Sequence, residues 1–295
     1  MTRRLALVVV LALLACAASA QQGQKPPVRS IAQVTGGLYR VQNNEHYTVF
    51  YVTPAGIILA DPISADAAAW LKAELARRFP NVPVRYVIYS HHHQDHASGA
   101  AVFDDTAELV AHENFAAAVK AAAPKDPRYA AVVLPESTYR DRRTITLGGR
   151  RVDLVHPGRM GHAPDFTVLH FPGERAAFVV DYIAVRTVPG SNTLQNGAPI
   201  GEYVSAIRAV EALDFDIAVA GHGPVGKKSD LGDHRQYFER LAERVSAAIK
   251  AGRTLEQVQA ANIMGEYKDW IEYDEDNDIN VANAYKTLSA AAPPR

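Results

Sequence analysis

Six consecutive residues, His91-His92-His93-Gln94-Asp95-His96, hold four of the chain's eleven histidines. They follow directly on the apolar run Val84 to Tyr89, which reads as a buried strand. A strand that runs into such a loop places the side chains at its carboxyl end, where α/β sheets tend to keep their binding residues. In an extended segment, side chains two apart point the same way. His91 and His93 can therefore share one metal ion while His92 faces elsewhere. Asp95 and His96 come where the chain turns, so they can address a second point nearby. The bland alternative is a solvated patch of histidines. A catalytic zinc asks for three protein ligands, and a two-metal site asks for more.

Three further candidates each lie in a loop behind a strand. His162 sits in Gly161-His162-Ala163-Pro164-Asp165, Asp181 ends the apolar run Ala176–Val180, and His222 follows Ile217–Ala220 in Gly221-His222-Gly223-Pro224. Each has a dull explanation when taken singly, a solvent-facing imidazole or a strand-end cap. With the first cluster they make a coherent set.

The rest of the chain supplies the frame. Gly37 to Thr53 reads as two strands around an Asn43-Asn44 turn, and Ile57–Ala60 as a buried strand ending at Asp61. Ser64 caps a helix to about Phe79, and Asn114 to Ala123 is a second helix. Hairpins are expected over Arg143–His156 and Thr167–Val180, and helices over 200–213, 231–251, 254–261 and 279–290. The acidic stretch Glu272 to Asp278 lacks the glycine and spacing of a calcium loop and reads as a solvated loop. Strands and helices alternate in two halves, which predicts a layered α/β domain over residues 31–295. Residues 21–30 read as a flexible lead-in, and a C-terminal helical extension begins near 254.

The ligand run, with His162, Asp181 and His222 in that order, resembles the metallo-β-lactamase superfamily of metallohydrolases. The resemblance implies an αββα sandwich with metals at one edge of its two sheets. It assigns His91, His93 and His162 to a first zinc, Asp95, His96 and His222 to a second, and Asp181 to a bridge between them. Asp61 falls where the family keeps a carboxylate that orients a ligand histidine. Two Zn2+ ions per chain are implied, with iron or manganese as other occupants. A metal-bound hydroxide would then attack the substrate, with Asp95 orienting it and shuttling a proton.

The implied reaction is the opening of a small cyclic amide, ester or thioester. Asp181 at the bridging position resembles the thioesterase, lactonase and phosphodiesterase branches rather than β-lactamases with Cys or Ser there. Ala184 stands where some β-lactamases hold the drug's carboxylate with lysine, Arg186 is a weak substitute, and Tyr182 is displaced from the lactonase tyrosine. A true β-lactamase, an iron-dependent persulfide dioxygenase and a non-catalytic metal-binding accessory protein are the alternatives. The aromatics of Glu266–Ile271 either shape the substrate pocket or pack on the sandwich.

Composition narrows the partners. Basic and acidic residues number 31 and 32, which argues against a protein built to hold nucleic acid by bulk charge. The partner is a small-molecule substrate. Thr2-Arg3-Arg4, the ten-residue apolar run Leu5–Leu14 and Ala18-Ser19-Ala20 read as a signal peptide over residues 1–20. The run is too short to span a bilayer, so export to the periplasm or medium is expected. The single cysteine, Cys16, lies in an acceptable lipobox, so a lipid anchor there is the alternative.

Overall fold

The protein is described by a computed structural model over residues 25–190, 193–194 and 198–291. The signal peptide and Cys16 lie outside the described residues. Among those residues, no helix is long and apolar enough to cross a membrane.

The first sheet holds seven strands in chain order: β1 (Arg29–Thr35), β2 (Leu38–Asn43), β3 (His46–Thr53), β4 (Gly56–Ala60), β5 (Val84–Ile88), β6 (Glu108–His112) and β7 (Ser137–Tyr139). Pairing is antiparallel from β1 to β4 and parallel from β4 to β7. The parallel steps are bought with crossovers through helix α1 (Ala65–Arg78), the single turn α2 (Gln94–Ala97) and α3 (Phe115–Ala122). Ser64 caps α1 as expected, accepting a hydrogen bond from the Ala67 amide.

The second sheet runs β13 (Gly226–Lys227), β12 (Ile217–Ala220), β11 (Ala176–Val180), β10 (Val168–Phe171), β9 (Arg150–Val155) and β8 (Arg142–Leu147). Helices α4 (Ile200–Glu211) and α5 (Lys228–Lys250) cover it. The four layers are the αββα sandwich. Strand β4 shows why the layers hold. All five of its residues are buried, yet successive side chains leave on opposite faces. Ile58 and Ala60 join the core between the sheets, while Ile57 and Leu59 pack under α1 and α3 with Leu71, Leu75 and Phe115.

Two expectations need correcting. The lead-in ends sooner than expected, because Arg29–Thr35 is an edge strand paired to β2. Its half-exposed sequence RSIAQVT carries no clear alternation of apolar and polar residues. The acidic stretch is not a loop beyond Glu272. Helix α7 spans Tyr273–Ala291, with Asp274, Glu275 and Asp276 in its first turn. The unpaired amides there favour negative charge, so the acidic run starts the helix.

Helices α6 (Leu255–Ala260) and α7 form the C-terminal extension, and Val281 and Ala284 of α7 share a core with Tyr237 and Leu241 of α5. Buried Asn280 fastens α7 inward, donating to the Pro189 carbonyl at 2.6 Å. Asn280→Ala leaves that carbonyl unpaired and should cost about 1–3 kcal/mol. Denaturant unfolding checks this, with an unchanged midpoint as the contrary result.

Candidate metal centre

Loops from both sheets meet at one edge of the sandwich. Strand β5 delivers Ser90 to His96, the connection from β9 to β10 delivers His162, and β11 and β12 deliver Asp181 and His222. The Asp181 carboxylate lies at the centre. His96 Nε2 is 3.3 Å from its Oδ2, His162 Nε2 is 3.4 Å and His91 Nε2 is 3.6 Å. His222 Nε2 is 3.6 Å from Oδ1. His93 completes a group with His91, His162 and Asp181 whose donor atoms all lie within 4.8 Å of one another. His96, Asp181 and His222 form another such group. On the second side, Asp95 Oδ2 lies 3.8 Å from His96 Nε2.

Hydrogen bonds fix which nitrogen faces the centre. Asp61 accepts from the Ser90 amide at 2.7 Å and from Ser90 Oγ at 2.6 Å. Its Oδ2 also accepts from His96 Nδ1 at 3.1 Å, because a carboxylate can only accept. With its proton given to Asp61, Ser90 Oγ accepts from His91 Nδ1 at 3.0 Å. His222 Nδ1 donates to the Glu45 carbonyl at 3.0 Å. Each ring thus presents Nε2 to Asp181. His92 faces away, bonded to Asp165 at 2.8 Å, as the alternation in sequence predicts. The His91 ring is stacked on Phe166, with centroids 4.8 Å apart.

These residues suit metal ions. His91 Nε2, His96 Nε2, His162 Nε2 and Asp181 Oδ1 are buried and have no hydrogen-bond partner. Buried polar atoms seldom remain so. Two donors on one zinc, each at about 2.1 Å in tetrahedral geometry, lie about 3.4 Å apart, and the separations above bracket that value. The backbone is strained in the strands that deliver the carboxylates. Val180 has φ +32° and Asp61 has φ +24°, both unusual for residues with a side chain. Gly221 leaves the room needed, since a Cβ there would lie 2.6 Å from Asp181 Oδ1.

The charges are unevenly shared. Burial holds His91 well below its ordinary pKa, and burial followed by the charge of His162 lowers His93 to about 3. Burial also opposes charge on His96, but the Asp181 and Asp61 carboxylates outweigh it and push the ring well above its ordinary value. Burial would raise Asp181, yet His96, His162 and His91 hold it well below the carboxylate range. Asp95 is likewise lowered against its burial, by His46 and His96.

A family model described as the metallo-beta-lactamase superfamily matches residues 45–222, the stretch that holds all these donors. The chain belongs to that superfamily. Membership places it among metal-dependent hydrolases. Among curated proteins, it is 28% identical over 228 residues to the 2,4-dinitroanisole O-demethylase subunit alpha of Nocardioides sp., a match covering 77% of this chain and 67% of that one. It is 22% identical over 214 residues to the linear primary-alkylsulfatase of a Pseudomonas sp., covering 58% and 40%. Among solved structures, a metallo-beta-lactamase from Pontibacter korlensis superposes with TM-score 0.60 at 18% identity, covering 72% of this chain and 99% of that one. The stereoselective inverting sec-alkylsulfatase Pisa1 from Pseudomonas sp. superposes with TM-score 0.68 at 17% identity, covering 91% and 52%. The chain spans about half or less of the length of these two sulfatases.

A cleft of about 630 Å3 opens onto the donors. Its walls mix the donors and polar residues such as Thr187, Thr193 and His234 with apolar Met160, Ile183, Val188, Phe238 and Ile271, and Ala184 also lines it. Arg186 is exposed and not among the lining residues. Of the two readings of the Glu266–Ile271 aromatics, packing holds: Tyr267 and Trp270 lie against α5, with centroids 5.0 and 6.2 Å from Tyr237. Ile271, next in sequence, does reach the cleft, tied by backbone hydrogen bonds to Arg186 and Val188. A separate cavity of about 400 Å3 between α1 and β5 holds Lys72, but that amine is engaged by Asp105 and the Val102 carbonyl.

His46, at the start of β3, is a residue of the centre that the sequence reading missed. Its Nε2 lies 3.2 Å from Asp95 Oδ2. Nothing around it in sequence repeats the ligand spacing.

The Asp181 and Asp61 carboxylates favour a proton on His96, and a ligand imidazole must be neutral, so metal binding should expel a proton. Affinity should therefore rise with pH from 7 upward and level off above the raised pKa of His96. Calorimetric titration in buffers of different ionisation enthalpy reads the released protons. Affinity that falls with pH, or no release at pH 7, contradicts the assignment.

Proposed function

We propose that the chain is a zinc-dependent hydrolase of small ester-like substrates, with two metal ions sharing Asp181. The observation that carries this reading is the pair of donor groups meeting at one carboxylate in a cleft with an apolar side. His91, His93 and His162 hold the inner ion, and Asp95, His96 and His222 hold the outer one. When bound, such ions polarise the oxygen of the scissile bond and bring the pKa of water to about 7.

The protein's own residues do the rest. Asp181 keeps the two positions adjacent. Asp61 holds the His96 ring and, through Ser90, the His91 ring. Asp95, at the rim with its side chain 35% exposed, orients the attacking water and takes its proton. The apolar part of the wall, Met160, Ile183, Val188, Phe238 and Ile271, holds the substrate body. His234, which burial lowers to about pKa 4, is neutral at pH 7 and adds an uncharged imidazole to the cleft lining.

The substrate class is a cyclic amide, ester or thioester, broadened by the relatives. 2,4-Dinitroanisole is an ether of an electron-poor phenol, and an alkyl sulfate is an ester of sulfuric acid. Both names point to a bond whose cleavage leaves a stabilised anion, which a second cation favours. A β-lactam carboxylate would find Ala184 in place of a cation. Export through the segment 1–20 is the cellular setting we propose, with the Cys16 anchor as its variant.

The test is a panel of 4-nitrophenyl acetate, a thioester, 2,4-dinitroanisole and a chromogenic cephalosporin, each with and without chelator. Chelator-sensitive turnover of the acetate or thioester, exceeding that of the cephalosporin, is expected. Asp95→Asn should lower kcat about 10²–10⁴-fold. Turnover indifferent to chelator, or confined to the cephalosporin, overturns the reading.

A further inference from the structure

We propose that His46 is an additional metal donor at the outer position, beside Asp95 and His222. The inference rests on the two-metal reading above and adds an imidazole that the resemblance does not assign.

The donor atoms of His46, Asp95 and His222 all lie within 4.8 Å of one another. His46 Nε2 is 3.2 Å from Asp95 Oδ2, a separation suited to two ligands of one ion. The His46 ring centroid is 4.9 Å from that of His222 and 6.3 Å from that of His96. The imidazole thus stands on the side of Asp95 and His222, away from the inner group.

The hairpin that carries His46 is fastened to the loop that carries His222. The Tyr47 amide donates to the Gly221 carbonyl at 2.8 Å. The Glu45 carbonyl, directly before His46, accepts from His222 Nδ1 at 3.0 Å. Arg40 of β2 donates to the Gly223 carbonyl, and its guanidinium lies 3.5 Å over the Tyr47 ring. Residues on both sides of His46 are therefore held to the His222 loop. The side chain is delivered by a built contact between hairpin and ligand loop.

A fifth protein donor has a chemical consequence. With Asp95, His96, His222 and Asp181, His46 gives the outer position three imidazoles, as many as the inner one, and one carboxylate more. The outer ion is then held more tightly and tolerates a higher coordination number, which zinc reaches in catalytic sites.

The test is metal binding, independent of any substrate. Metal-free wild type, His46→Ala and His46→Gln are dialysed against graded free Zn2+, with bound metal counted per chain, and titrated with Co2+ by visible absorption. Circular dichroism confirms that each variant is folded. Wild type should take two ions. His46→Ala should keep the inner affinity and lose about tenfold or more at the outer position, with an altered Co2+ spectrum. His46→Gln should lose as much, because an amide can hydrogen-bond to Asp95 but replaces imidazole poorly as a ligand. Wild-type affinity in His46→Ala overturns the proposal. Wild-type affinity in His46→Gln alone also overturns it, since His46 would then act only through a hydrogen bond. A wild type that binds one ion, weakened by His46→Ala, would contradict the two-metal reading while leaving His46 a donor. One ion unaffected by the substitution would defeat both.

Discussion

The structure turns on the Asp181 carboxylate and the four imidazoles around it. His91, His96, His162 and His222 all direct Nε2 at one buried carboxylate, at 3.3 to 3.6 Å. Without cations, the arrangement leaves several buried nitrogens and an oxygen unpaired. Such atoms cost stability in proportion to their burial. Bound metal ions would remove that cost, so the same cluster that weakens the empty fold gives it affinity. The positive φ of Val180 and Asp61 fits this picture, because strain persists where surrounding packing over-determines it.

The two sheets divide the work. The first sheet ends β5 in the histidine run and braces it with Asp61 from the end of β4. The second sheet places Asp181 and His222 on adjacent parallel strands, β11 and β12, so they emerge side by side. Gly221, just before His222, leaves room for this packing, since a Cβ there would lie 2.6 Å from Asp181 Oδ1 and 3.3 Å from His96 Cε1. The C-terminal helices finish the cleft rather than the centre. Tyr267 and Trp270 bury against α5, and this packing carries Ile271 to the rim.

Much of this was legible in the sequence, and the reasons are physical. The run His91–His96 carries its geometry with it, because a strand alternates its side chains and His92 duly turns away to Asp165. His162, Asp181 and His222 could be singled out because each follows a strand of apolar residues. Asp61 was reached through the resemblance, not from its own surroundings. His46 was invisible, since its role depends on a hairpin folding against a loop some 176 residues later. The edge strand β1 escaped because one face is solvated and its pattern is weak. The start of α7 escaped because acidic residues at a helix N-terminus resemble an acidic loop when only composition is read. Local periodicity is written in the sequence, whereas contacts between distant segments are not.

The most direct measurement is a crystal structure of the zinc-loaded protein with anomalous data collected on either side of the zinc edge. The account predicts two anomalous peaks on opposite sides of the Asp181 carboxylate, each about 2.0–2.2 Å from its histidine nitrogens. A single peak, or zinc bound elsewhere with Asp181 left hydrogen-bonded to protonated imidazoles, would contradict it.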